Sequence, residues 1–157
     1  MTDGAIIVRQ LLQPSMLSEV LRFGREAFER SNYAPLQYNS VIARKTLRDA
    51  MHDRTQRVFT AWRGERCVGL LIGSIYPLPW SAGLTATDTV FIADQGGDML
   101  LERFVKWARE NKVVRIDMGV SDDGQRAGFD RLFKQQGFDR AGGMYFAQWP
   151  VTKGGAT

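Results

Sequence analysis

Thr89-Val90-Phe91-Ile92-Ala93-Asp94-Gln95-Gly96-Gly97-Asp98-Met99-Leu100-Leu101 is the stretch that organises the rest of the chain. A strand delivers the backbone to two glycines, and a helix begins at once. Unbonded N–H groups at a helix N-terminus, with glycines that let a ligand come close, form an anion site suited to a pyrophosphate. Two plainer effects compete with that reading. Paired glycines before a helix also serve simple turn chemistry. Asp98 in the first turn favours the helix but opposes an anion at the same place.

Working outward, Asp98 to Asn111 has the apolar spacing of a helix, with Leu101, Phe104, Val105, Trp107 and Ala108 inward. Val113 to Val120 reads as a strand, and Asp122-Asp123 cap a helix that Gly137 ends after about Gln136. Met144 to Trp149 reads as a last strand. Upstream, Ala5 to Leu12 reads as a strand and Pro14-Ser15 start a helix carrying Leu17, Val20, Leu21, Ala27 and Phe28 on one stripe. A loop from Ser31 to Asn39 holds Tyr33, Pro35 and Tyr38, and a second helix spans Ser40 to His52. Val58–Trp62 and Cys67–Ile72 flank a turn at Arg63-Gly64-Glu65-Arg66, in hairpin spacing. Pro77, Pro79 and Gly83 punctuate the loop before the strand Thr85 to Ala93. The order β-α-α-β-β-β-α-β-α-β predicts an α/β (α+β) sheet with helices on both faces and a β-turn-α-β unit at its centre.

Composition bounds what such a fold does. The 157 residues suit one domain, 44% of them are hydrophobic and 24% are charged, which supports a core and argues against disorder. Twenty-one Lys and Arg against 17 Asp and Glu leave +4, which tolerates an anionic ligand without announcing nucleic acid. Cys67 is the single cysteine and His52 the single histidine, so an internal disulfide framework and a Cys/His zinc site are both excluded. Cys67 reads as a small strand hydrophobe and His52 as a helix-closing residue. No apolar run suits a membrane span or a secretory leader. The expectation is a soluble, cytoplasmic single domain with a loose tail from about residue 150, and a homodimer is compatible with it.

From end to end the element order resembles the GNAT superfamily of N-acetyltransferases. Thr89 to Leu101 resembles that family's acetyl-CoA motif, and Leu132-Phe133 followed by Gly137-Phe138 resembles its Leu-Tyr…Gly-Phe signature. The Tyr33/Tyr38 loop, the Val68-Gly69 strand and the Trp107-Ala108-Arg109 helix resemble the acetyltransferase-like proteins of bacteriophage genomes. The resemblance implies a mostly antiparallel mixed sheet in which Thr85–Ala93 and Val113–Val120 run parallel across the intervening helix. It implies acetyl-CoA as cofactor and acetyl transfer to a primary amine of a small molecule or a protein. Pyrophosphate is then expected on the N–H groups of Gly96, Gly97, Asp98 and Met99, with Gln95 beside them. Pantetheine and the thioester oxygen are expected on backbone N–H groups at Ile92, Ala93 and Asp94, where the strand parts from the next one.

The departures from the family pattern bear on mechanism. The glycine loop is shorter than the family's and holds no arginine. Phe133 stands near the signature tyrosine and has no proton to give a departing thiolate, although a coenzyme A thiol is acidic enough for water to protonate. Arg126 occupies the position where the family often has asparagine, and is expected at pantetheine or phosphate unless it is simply an exposed helix arginine. Asp88 sits near the strand carboxylate that acts as base in some members; the plainer alternative is a solvated residue on an alternating strand. Tyr33 and Tyr38 fall in the segment that covers the acceptor, and Trp80 between Pro79 and Ser81 is a candidate exposed contact. Two other functions fit: a GNAT-fold binding or structural protein without catalysis, and a phage protein acting on nucleic acid or modified bases. The acceptor loops carry no acidic cluster that would name a polyamine or basic peptide.

Overall fold

The computed structural model describes residues 4–119, 126–143 and 145–149. Its elements are β1 (Ile6–Gln10), α1 (Leu17–Arg30), α2 (Ser40–His52), β2 (Gln56–Arg63), β3 (Arg66–Pro77), β4 (Leu84–Ala93), α3 (Gly97–Glu110), β5 (Val113–Asp117) and α4 (Arg126–Gln135). Short 3-10 turns at Pro14–Met16 and Ala34–Leu36 lead into α1 and lie between α1 and α2. The five strands form one sheet in sequence order, antiparallel except for β4 and β5, which are parallel. The mixed sheet and its parallel pair are as the sequence predicts, with α3 as the connection between them.

Alternation along β2 sends successive side chains to opposite faces, so the chain builds two cores rather than one. Val58 and Trp62 join Leu17, Val20 and Phe23 of α1 and Leu47 and Ala50 of α2. Phe59 and Ala61 join Leu100, Leu101, Phe104, Trp107 and Ala108 of α3 and Phe133 of α4. Central β3 is buried on both sides, which explains its near-continuous apolar run from Gly69 to Gly73. Helix starts follow local chemistry: the Asn39 side chain accepts from the N–H groups of Val41 and Ile42, capping α2.

Several boundaries move. Met118 and Gly119 leave the strand that was expected to reach Val120, so β5 stops at Asp117; Val120, Asp122 and Asp123 lie outside the described residues, as do 150–157. The predicted last strand, Met144 to Trp149, is corrected: residues 145–149 form no strand, and Met144 lies outside the described residues. An apolar run requires a ladder partner to become a strand. This segment stands away from β5, with Tyr145 97% and Trp149 76% exposed. The Gln148 amide instead donates to the Asn32 carbonyl at 2.9 Å, tying it to the loop after α1.

The closest packing in the molecule is between α3 and β3. A Cβ built on Gly73 would stand 2.4 Å from the Phe104 ring and 2.9 Å from Trp107, and one on Gly69 would stand 2.7 Å from Leu100. All three neighbours are core residues with no room to retreat. Gly24 on α1 has nothing within 4 Å of its Cβ position. The same substitution therefore has opposite signs at the two sites. Gly73→Ala should cost about 1–3 kcal/mol by overpacking, while Gly24→Ala should gain roughly 0.5–1 kcal/mol from helix propensity. Thermal melts of both variants check this; a Gly73→Ala protein as stable as its parent would contradict the packing described.

Candidate functional site

β4 changes partners along its length. Toward β3 it is paired from Leu84 to Ala93, but toward β5 the register ends at Thr87–Asp117. From Asp88 onward its second edge is open, so the two parallel strands form a fork. A bulge lies at the same place: Val90 pairs with Ile72 and Asp88 with Gly73, leaving Thr89 as the extra residue. The Thr89 hydroxyl lies 3.2 Å from that of Ser74. Nothing in the sequence pattern marks Thr89 as a bulge.

Asp88 stands in the crotch of the fork. Its Oδ1 accepts from the Gly119 N–H at 3.3 Å, the last link between β4 and the end of β5. Burial pushes its carboxyl above the usual carboxylate range, against the opposing pull of hydrogen bonds from Gly119 and from its own backbone. Asp88 is thus half-buried and hydrogen-bonded across the fork rather than a fully solvated strand residue.

The open edge has specific donors. Asp94 and Gln95 both donate their N–H to the Val68 carbonyl, at 2.9 and 3.2 Å. Alternation in an antiparallel ladder then turns Ile92 and Val90 toward β3, and Phe91 and Ala93 toward the fork. Of the N–H groups expected to meet pantetheine, Ala93 faces the open edge, while those of Ile92 and Asp94 face β3; Phe91 is the donor that sequence reasoning missed. The signal needed was the register with β3, which no local pattern supplies.

Gly96 takes a left-handed conformation with φ 75°, and α3 begins at Gly97. The first helical bond runs from Leu100 N–H to the Gly96 carbonyl at 2.9 Å. The N–H groups of Gly97, Asp98 and Met99 therefore precede the helical ladder, and no side chain caps them. Gly96 is also tightly seated, since a Cβ there would lie 2.9 Å from the Ile6 side chain. A Cβ on Gly97 would meet Ala93 at 3.4 Å and Leu132 at 4.0 Å, ordinary contacts. Asp98 and Gln95 are exposed, and the Met99 side chain packs on the α3 core.

Phe133 is 9% exposed, within an aromatic cluster. Its ring centroid lies 6.4 Å from Phe91, 6.5 Å from Phe129 and 5.2 Å from Phe138. It also borders a cleft of about 1390 Å³ that runs between β5, α3, α4 and the 138–148 segment. Tyr33 and Leu36 line this cleft, as do Asp117, Met118 and Gly119. Tyr33 is thus brought to the fork end of β5. Tyr38 is not: its ring packs edge-on to Phe28 at 5.6 Å and lies under the Arg25 guanidinium. Trp80 is 96% exposed in the β3–β4 loop. The ten-residue β4 separates it from Asp94 by about 30 Å, so it belongs to the opposite end of the sheet. Arg126 opens α4, and its side chain lies outside the described residues. Among the described residues, no group of three or more His, Cys, Asp or Glu is placed to hold a metal ion, and no helix is long and apolar enough to cross a membrane. Cys67 packs as expected, buried, with burial raising its thiol to about 11.

No family model and no curated protein matches the sequence. Solved structures do match the fold. A transcriptional regulator from Bacillus halodurans C-125 superposes with a TM-score of 0.72 at 17% identity, covering 92% of this chain and 100% of its own. The aminoglycoside acetyltransferase meta-AAC0020 from an uncultured soil metagenomic sample superposes at 0.67 with 16% identity, covering 95% of this chain and 100% of its own. AAC(6')-Iy, in complex with the bisubstrate analog CoA-S-monomethyl-acetylneamine, superposes at 0.70 with 10% identity, covering 94% and 100%. At these identities the likeness is one of architecture. The chain has the fold of the GNAT acetyltransferases.

Proposed function

We propose that this protein is an acetyl-CoA-dependent N-acetyltransferase acting on a primary amine. The observation that carries the reading is the fork itself. One half-buried carboxylate, one open strand edge and one uncapped helix N-terminus lie in sequence along β4 and the start of α3. The residues present suit the cofactor: Phe91 and Ala93 would hold pantetheine as an added ladder partner, and Gly97, Asp98 and Met99 would hold pyrophosphate. When bound, the cofactor would supply an acetyl group as a thioester for transfer to the amine nitrogen, with coenzyme A leaving as its thiolate. Asp88 takes the proton that the amine must lose, a task its raised proton affinity suits. The Tyr33 side of the cleft gives the amine its approach.

Thiolate departs without a side-chain acid at Phe133, whose ring is packed among aromatics and carries no hydroxyl. General acid catalysis typically contributes about 10²–10⁴-fold, so a slow enzyme is expected. The same phenylalanine favours a second reading, a GNAT-fold binding protein that has lost transfer. Turnover separates the two: acetyl-CoA bound without any thiol release against an amine panel supports the second.

Asp88→Asn keeps an acceptor for Gly119 and removes a desolvated charge. A raised folded pKa means that the carboxyl favours folding while protonated and that this contribution is lost as pH rises through its folded value. At neutral pH the variant should therefore be at least as stable as the parent, yet turn over more slowly, most visibly below the amine's pKa. Melting and thiol-release assays read both; equal turnover in the variant would remove Asp88 as the base. Gly97→Leu places a branched side chain beside the uncapped N–H groups, in ordinary contact with Ala93. Calorimetry should show coenzyme A binding lost with the melting midpoint largely kept, and unchanged affinity would place the pyrophosphate elsewhere.

A further inference from the structure

The short loop between β4 and α3 holds no cation of its own, and its two carboxylates, Asp94 and Asp98, both oppose a bound phosphate. A cation reaches the loop from outside. The Arg30 guanidinium, on the last turn of α1, donates from one Nη to Asp94 Oδ1 at 3.3 Å, across 64 residues of sequence. Its Nε donates to the Glu26 carbonyl, also at 3.3 Å, so the head group is aimed along α1 toward the loop.

We propose that Arg30 is a pyrophosphate-binding residue, supplying from α1 the charge that the glycine loop lacks, and that Asp94 holds it ready and competes with the cofactor for it. The inference rests on the acetyl-CoA reading above and adds to it a residue from a different element. Three physical points carry it. Asp94, the residue Arg30 contacts, lies only three to five positions before Gly97, Asp98 and Met99 in the chain. The pair is exposed, with side chains 61% and 54% accessible and a single long contact, so it costs little to exchange. A phosphate offers the guanidinium more charge and more acceptor oxygens than one lone carboxylate oxygen at that distance. Among the described residues Arg30 is the cation that pairs with this loop; Arg22 and Arg25 are taken up by Glu19, Glu26 and Glu29 within α1.

Competition makes the two partners of the same ion pair act in opposite directions. Isothermal titration of coenzyme A into the full chain is the test, at low and at high salt, with melting curves to confirm folding. Arg30→Ala should weaken binding about tenfold at low salt, the contribution of a charge-assisted hydrogen bond, and the deficit should shrink at high salt. Arg30→Lys should recover part of it. Asp94→Asn should tighten binding roughly threefold by freeing the guanidinium and removing a like charge. Arg30→Ala binding as well as the parent, a salt-independent loss, or Asp94→Asn binding more weakly would each overturn the proposal while leaving the cofactor reading intact. A parent chain that takes up no coenzyme A overturns both.

Discussion

A parallel strand pair that is joined at one end and open at the other is the constraint on which the site depends. β4 is fully committed to β3, so its only unspent backbone groups lie on the side where β5 has left it. Backbone donors that a sheet would otherwise satisfy are thus exposed to a ligand without loosening the sheet itself. Asp88 keeps the fork from closing or spreading, because its carboxylate accepts from Gly119 just past the last register pair. The half-burial of Asp88 at this point also pushes its carboxyl above its ordinary value.

That arrangement needs a rigid wall behind it, and α3 provides one. Gly69 and Gly73 let Leu100, Phe104 and Trp107 lie directly on β3, so the N-terminus of α3 is set against the strand that anchors β4. The Val68 carbonyl then takes both Asp94 and Gln95 N–H groups, folding the loop down before the helix begins. With that loop short and pinned, the uncapped turn of α3 is left facing outward. Binding groups come from the backbone, and charge has to come from elsewhere in the fold.

Local pattern made most of the architecture legible. Period-3.6 stripes located α1, α2 and α3, and the Arg63–Arg66 turn located the β2–β3 hairpin, because each of those signals is contained within its own element. The fork was foreseen through the family resemblance, and Gly97 through its position at the helix start. What was illegible depended on neighbours distant in sequence. Which amides of β4 are free is decided by register with β3, so of the expected Ile92, Ala93 and Asp94 only Ala93 faces the opening, and Phe91 beside it was not expected. Tyr145, Phe146 and Trp149 make an apolar, aromatic run that reads as a strand, yet such a run does not provide an edge to pair with. Asp88 read as ambiguous because its bond from Gly119 crosses 31 residues of sequence, and the approach of Arg30 to Asp94 left no trace in the sequence at all.

The central claim is that cofactor occupies the open edge of β4 and the first turn of α3 together. Amide chemical-shift mapping with coenzyme A tests it most directly, since it reads each N–H separately. The account predicts shifts concentrated at Phe91, Ala93, Gly97, Asp98 and Met99, with Ile92 and Val90, bonded to β3, changing little. Shifts confined to the cleft beyond β5, or spread over Ile92 and Asp94 while Gly97 to Met99 stay fixed, would contradict it.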